Sequence, residues 1–135
     1  MKNLTSALLL LCSIIFSSCS IQEPHRDPDL VSKWELMEVL INDGSQSIYK
    51  PAERKETVEF RLDSKVRRST SWCAEAEVNI GEYSTEEKSI TVGCGEAPIT
   101  LRYAIKGDFL FIYPNCIEAC ALKYRRIDNL VGFVN

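Results

Sequence analysis

Histidine is nearly absent from this chain. The 135 residues contain one, His25, and it lies in the polar stretch SIQEPHRDPD, where a solvated linker residue is expected. Without a second histidine, no Ser-His-Asp or Cys-His set for nucleophilic catalysis can be assembled. We therefore predict that the protein is not an enzyme, binds no cofactor and holds no catalytic metal.

Several other sequence features are missing or weak. No internal repeat and no long apolar stripe of period 3.6 occurs, so a helical or solenoid fold is not expected. The stretch GCGEAP contains Gly93 and Gly95 but lacks the lysine and the helix of a phosphate-binding loop. The formal net charge of −3 argues against a nucleic-acid partner, because nucleic-acid binders carry a strong positive field.

The charged clusters of the sequence are best interpreted as solvated surface. Carboxylates cluster in STEEK and CAEAEV, where turns and outer faces are expected, so they predict no paired acid and base. Acidic residues lie between the basic stretches KVRR and KYRR, and the net charge of the chain is negative. We expect them to be exposed faces as well.

The N-terminus predicts export. Lys2 precedes an apolar run over residues 7–16, and two serines then lead to Cys19. This run is shorter than the about 20 residues of a membrane span, and the order of features is that of a secretory signal over residues 1–18. Residues 19–29 are polar, contain two prolines and predict a tether.

The four residues Phe16-Ser17-Ser18-Cys19 resemble the lipobox of bacterial lipoproteins. The resemblance implies cleavage before Cys19, which becomes the diacylglyceryl-modified N-terminus and anchors the chain to a membrane. Ser20 after the cysteine implies the outer membrane, on its periplasmic or its surface face. An ordinary secretory signal, with Cys19 as a spare thiol, is the alternative.

Four cysteines follow the tether: Cys73, Cys94, Cys116 and Cys120. An even number in a small exported domain predicts disulfides, and of the three possible pairings we favour Cys73–Cys94 and Cys116–Cys120. A zinc site is disfavoured because structural zinc sites space cysteines two to four residues apart in both halves. A redox pair is disfavoured because three residues, not two, separate Cys116 from Cys120.

The rest of the chain has the pattern of short strands. ETVEFRLD alternates apolar and polar residues, which predicts a half-buried strand with Val58, Phe60 and Leu62 on one face. ITLRYAIKG alternates likewise, and Gly107 suits a tight hairpin before FLFIY. We predict an all-β fold, an eight-stranded antiparallel up-and-down meander closed into a barrel.

A family resemblance rests on VSKWELMEV and YPNCIEACALKYRRI, which look like segments of the lipocalin-like domains of small bacterial lipoproteins. Ser32-Lys33-Trp34 stands where lipocalins have Gly-x-Trp. By the resemblance, an arginine on the last strand packs across Trp34 and the pair plugs the barrel. Arg126 is the candidate, with Arg125 as the fallback. The resemblance covers residues 30–127 and implies a lipocalin-like barrel domain over residues 30–135.

A barrel of eight strands either fills with side chains or holds one small ligand. The favoured hypothesis is a monomeric interaction or structural module that meets another envelope protein through FLFIY (residues 109–113). The alternative is a carrier of a small hydrophobic ligand; a cavity of about 300 Å³ or more is the discriminating feature. The residues expected to line such a cavity are Phe60, Leu62, Leu101 and Tyr103. Large side chains expected to fill the interior instead are Phe60, Tyr103, Phe111 and Tyr124.

Overall fold

The computed structural model of the chain describes residues 30–42, 44–116 and 120–128. All nine secondary-structure elements in this part of the chain are β-strands. They are β1 (Lys33–Asn42), β2 (Ser47–Pro51), β3 (Thr57–Phe60), β4 (Lys65–Arg68), β5 (Ile80–Ser84), β6 (Ser89–Cys94), β7 (Ala97–Lys106), β8 (Phe109–Tyr113) and β9 (Ala121–Asp128). The predicted signal peptide (residues 1–18), the tether with Cys19 (residues 19–29) and the last residues, 129–135, lie outside the described residues.

The strands form a closed barrel. From β3 to β9 each strand pairs antiparallel with the next, β1 pairs with β3, and β9 returns to pair with β1. Eight strands therefore close in up-and-down order, as the sequence predicts, and β2 is an additional strand outside this circuit. The eight-strand barrel is confirmed.

Alternation within the strands places the core inside the barrel. Val58 and Phe60 of β3, Leu110 and Ile112 of β8 and Tyr124 of β9 are fully buried. Their neighbours in sequence are more exposed, because successive side chains of a strand point to opposite faces. The hairpin between β7 and β8 turns at Gly107, whose φ is +60°, so the glycine predicted for this position is required by the backbone.

Strand β2 is the element that the sequence pattern does not reveal. All five of its residues are exposed, so no alternation of burial marks SIYKP as a strand. The chain turns before it, where Asn42 pairs with Ser47 and Gly44 has a φ of +86°. Both β2 and β3 pair with the same edge of β1, so residues 52–56 interrupt what is otherwise one long strand.

Two predicted inward positions are wrong. Leu62 is 44% exposed, because β3 ends at Phe60 and the chain turns at Leu62 before β4 begins. Phe111 faces outward, since its neighbours Leu110 and Ile112 occupy the inner face of β8. Its ring packs edge-on against Tyr49 of β2, with ring centroids 6.4 Å apart.

The predicted contact between Trp34 and Arg126 is present near the start of β1. Trp34 is fully buried, and its indole N–H donates to the carbonyl of Leu30 at 3.1 Å. The guanidinium carbon of Arg126 lies 4.8 Å from the centre of the Trp34 ring, and the two residues are partners across β1 and β9. The fallback, Arg125, points outward and lies 3.9 Å from the carboxylate of Glu35.

Candidate ligand cavity at the barrel mouth

A cavity of about 440 Å³ lies at one end of the barrel. Strands β4, β6 and β8 end there and β5, β7 and β9 begin there, whereas β1 begins at the opposite end. Four aliphatic side chains from three strands line it, together with an indole and two arginines. The lining residues are Arg54, Arg68, Trp72, Cys73, Ala74, Cys94, Ile99, Leu101, Ile112, Pro114, Asn115 and Leu122.

The barrel is filled below this cavity. Phe60 packs edge-on against Tyr83 and Tyr103, with ring centroids 5.1 and 5.6 Å apart. The hydroxyl of Tyr103 donates to the carbonyl of Ser84, which ends β5 at the opposite end of the barrel. The interior is therefore divided into a packed closed end and an apolar cup at the mouth.

A disulfide fastens one wall of the cup. The loop over residues 69–79 carries Cys73, which is bonded to Cys94 at the end of β6. Trp72 of the same loop is buried, and its indole N–H donates to the carbonyl of Asn79.

The second disulfide joins Cys116 to Cys120, with Cα atoms 6.2 Å apart, at the same end of the barrel. Both predicted pairings are confirmed.

The two disulfides are expected to differ in their contribution to stability. Replacing both cysteines of the Cys73–Cys94 pair with serine is expected to lower the free energy of unfolding by about 3 kcal/mol, because that bridge closes a ring of 21-residue separation. The same change at Cys116 and Cys120 is expected to cost about 2 kcal/mol, since the ring is short. Urea unfolding of the two double variants measures the difference. A larger loss of stability in the Cys116–Cys120 variant than in the Cys73–Cys94 variant would contradict this prediction.

A buried carboxylate, that of Glu56, organises the polar side of the cup. Glu56 lies just before β3, and its side chain is inaccessible to solvent. Both oxygens accept hydrogen bonds from Arg68, from Nε at 3.0 Å and from a terminal nitrogen at 3.0 Å. The Tyr124 hydroxyl donates at 2.5 Å, Thr70 at 3.0 Å and Nε of Arg54 at 2.9 Å.

These contacts set the protonation states of the network. Burial alone raises the pKa of Glu56, but the hydrogen bonds from Arg68 and Tyr124 and the positive charge of Arg68 lower it below the usual range of a glutamate. Burial, with the neighbouring Glu56 charge, raises the pKa of Tyr124 well above its usual range. Near neutral pH, Glu56 is therefore ionised and Tyr124 is protonated. The network, with two arginines and one carboxylate, carries one net positive charge.

The hairpin of β1 and β2 extends the wall beyond the barrel rim. Val39 pairs across to Leu122, which lines the cup, so this face of the hairpin continues the inner surface of the barrel. A second cavity of about 470 Å³ lies against it. Its lining residues are Val39, Ile41, Lys50, Pro51, Ala52, Glu53 and Arg54. Arg54 borders both cavities, so they adjoin at its side chain.

The structure brings together only part of the predicted ligand-lining set. Leu101 lines the cup, and it is 6% exposed. Phe60 and Tyr103 belong to the packed core and do not border the cup. Leu62 lies in the turn after β3, where it borders a separate shallow pocket of about 250 Å³ with Arg61 and Asp63.

Glu56 and Arg68 are the site residues that the sequence interpretation missed. The expectation that KVRR is a solvated face is wrong for Arg68, whose side chain is only 12% exposed. Period-two alternation contained the signal: Glu56 shares parity with Val58 and Phe60, and Arg68 shares parity with Val66. Charged residues at inward positions near a strand end predict a buried ion pair when they occur on neighbouring strands.

The outer face of the barrel carries a second notable group of side chains. We call it the outer aromatic cluster: Tyr49, Phe109 and Phe111, with Lys106 and Lys123. The ammonium of Lys123 lies 4.5 Å from the centre of the Phe109 ring and also pairs with Glu38. Aromatic rings and cations thus share one surface spanning β2, β7, β8 and β9.

The described part of the chain shows neither a metal centre nor a membrane-spanning helix. Over residues 30–42, 44–116 and 120–128, no three histidine, cysteine or acidic side chains are grouped as a metal site would require. No helix long and apolar enough to cross a membrane occurs in those residues. Comparison with known proteins finds no matching family model, no matching curated protein and no matching solved structure.

Proposed function

We propose that this chain is an exported, lipid-anchored envelope protein whose barrel binds a small, largely apolar ligand in the cup at its mouth. The observation that carries the proposal is the cavity of about 440 Å³ lined by Ile99, Leu101, Ile112 and Leu122. Ligand pockets in proteins are concave, mostly apolar and about 300–1,000 Å³ in volume. The mouth of a small barrel is also a common place for them.

Sequence and structure support different parts of this proposal. The lipobox-like residues up to Cys19 support anchoring, and the resemblance at Trp34 and Arg126 supports a lipocalin-like domain. The disulfides support an oxidising compartment such as the bacterial envelope. Catalysis is not part of the proposal, because the carboxylate of Glu56 is hydrogen-bonded to Arg68 and Tyr124 and is inaccessible to solvent behind the cup.

A fluorescent apolar probe tests the ligand site. N-phenyl-1-naphthylamine is neutral and gains fluorescence in apolar surroundings, and we expect it to bind the purified protein. Ile99→Trp is expected to abolish this binding, because the indole takes up volume inside the cup. The same substitution at Ile80, which is 55% exposed on β5, is the matched control and is expected to leave binding unchanged.

The outcomes separate a real site from general stickiness. Probe binding that is equal in Ile99→Trp, Ile80→Trp and the unchanged protein would contradict the proposal, and so would the absence of binding to the unchanged protein. Ala74→Trp, on the exposed loop that borders the cup, is a second blocking variant in case Ile99→Trp unfolds. Thermal unfolding of each variant provides the folding control.

A second candidate function is a docking module for another envelope protein. The outer aromatic cluster supports it, because aromatic side chains are enriched in protein interfaces. Strand β2 adds exposed apolar surface, with Ile48 at 42% and Tyr49 at 43% exposure. The cup is the favoured site because a concave, mostly apolar cavity at a barrel mouth is typical of ligand sites, whereas single exposed apolar residues are common on any protein.

A further inference from the structure

We propose that the ligand of the cup is an amphipathic organic anion, whose acidic head group binds the guanidinium of Arg54 while its apolar part lies against the aliphatic wall. This inference rests on the proposed ligand-binding function and names the chemical class of the ligand. It follows from the charge of the lining residues, from the hydrogen-bonding capacity of Arg54 and from the position of Arg54 between the two cavities.

The charged side chains that line the cup are of one sign, positive. Among the described residues that line it, two are cationic, Arg54 and Arg68, and none is acidic. Within residues 30–42, 44–116 and 120–128, the carboxylate in contact with these arginines is that of Glu56, which lies behind them and is inaccessible to solvent. One carboxylate offsets one of the two guanidinium charges, so a positive charge faces the cavity without a counterion from the lining residues.

Arg54 has donors available for a ligand. Its Nε donates to Glu56, and its two terminal nitrogens make no hydrogen bond within the described part of the chain. The side chain is 58% exposed, in contrast to 12% for Arg68, so a ligand reaches it without breaking the buried network. The bond to Glu56 fixes the plane of the guanidinium, which lowers the entropic cost of binding a head group.

The apolar wall defines the other half of the ligand. Ile99 and Leu101 of β7, Ile112 of β8 and Leu122 of β9 lie in the same cavity as Arg54. A ligand that touches both must carry an apolar body and an acidic group, such as a carboxylate, a sulfonate or a phosphate monoester. Planar carboxylates and tetrahedral oxyanions both match the two-pronged donor geometry of arginine.

A matched pair of probes tests the charge requirement. 1-Anilinonaphthalene-8-sulfonate has the same ring system as N-phenyl-1-naphthylamine and adds one sulfonate, so the ratio of their dissociation constants isolates the anionic group. We expect the anionic probe to bind the unchanged protein about tenfold more tightly than the neutral probe. Arg54→Gln is expected to remove this preference by weakening the binding of the anionic probe more than that of the neutral probe.

Two further variants complete the design. Arg54→Lys keeps the charge and is expected to retain part of the preference for the anion. Arg61→Gln is the matched control: its side chain is 51% exposed, similar to Arg54, but it lies in the turn after β3 at the other end of the barrel. It is expected to leave both affinities unchanged. Raising the salt concentration is expected to weaken only the anionic probe.

Each result has one meaning. Equal affinity for the two probes, or a preference that survives Arg54→Gln, would overturn the anionic ligand and leave the apolar cup intact. A preference that falls equally in Arg54→Gln and Arg61→Gln would also overturn it, because net charge rather than the cup would then explain the effect. Failure of both probes to bind the unchanged protein would overturn the proposed function itself.

Discussion

Glu56→Gln is expected to lower the free energy of unfolding by about 3 kcal/mol. The side chain is fully buried and accepts five hydrogen bonds, two of them from Arg68. An uncharged amide leaves the guanidinium of Arg68 without its counterion in the barrel interior. The glutamine side chain also places an NH₂ group opposite hydrogen-bond donors, and an NH₂ group cannot accept the hydrogen bonds that the carboxylate accepts. Urea unfolding measures the change.

The pH dependence of stability gives the same prediction an independent readout. The pKa of Glu56 is lowered in the folded protein, so its contribution is complete above the pKa of the unfolded chain, about 4.3, and is lost as the pH falls through the lower folded value. The pKa of Tyr124 is raised, so its contribution is complete below about 10 and is lost at higher pH. Glu56→Gln is expected to flatten the acid limb of the stability profile.

Glu53→Gln is the control for the network. Glu53 lies in the same segment between β2 and β3, but it is exposed, so its loss is expected to change stability by less than about 0.5 kcal/mol. If Glu56→Gln and Glu53→Gln proved equally stable, the buried network would have no energetic role. An acid limb that is unchanged in Glu56→Gln would exclude this glutamate as its origin.

Trp34→Ala is expected to lower the free energy of unfolding by about 3–5 kcal/mol. The indole is fully buried near the start of β1, packs under the guanidinium of Arg126 and donates a hydrogen bond to Leu30. Truncation leaves a large void and an unsatisfied carbonyl where the barrel must exclude water. Denaturant unfolding, followed by circular dichroism, measures the loss.

Arg126→Met separates the two members of this pair. Methionine keeps most of the apolar stem and removes the charge above the Trp34 ring, so we expect a loss of about 0.5–2 kcal/mol. A urea midpoint that Trp34→Ala leaves unchanged would exclude the plug role. If Arg126→Met cost as much as Trp34→Ala, the electrostatic contact rather than the buried volume would hold this end of the barrel.

Alternation made most of the barrel predictable. Strands such as TVEF bury one face, which produces a clear period of two in the sequence. Tight turns such as the hairpin at Gly107 join antiparallel neighbours, so the sequence predicts an antiparallel meander. Strand β2 had no such signal, because its five residues are exposed and its order depends on pairing with β1. The local sequence does not reveal β2, because this strand buries no face of its own and is stabilised by pairing with β1.

The candidate site was less predictable than the fold for a physical reason. Leu62 continues the alternation of β3 in sequence, but the backbone leaves the sheet at residue 61, so parity no longer fixes its direction. The negative net charge of the chain predicts an exposed Arg68, because its partner, Glu56, lies 12 residues away on the other side of a turn and no local pattern pairs them. Pairs across neighbouring strands become visible only when register is known.

The most direct test of a ligand-binding cup is the location of bound N-phenyl-1-naphthylamine in solution. Amide and indole chemical shifts of the isotopically labelled protein, followed during titration with the probe, report which side chains it touches. We expect the largest changes at the Trp72 indole N–H and at the backbone amides of Ile99 and Leu101. Changes confined to the outer aromatic cluster around Tyr49 and Phe111, with the Trp72 indole unmoved, would contradict the cup and favour a docking surface.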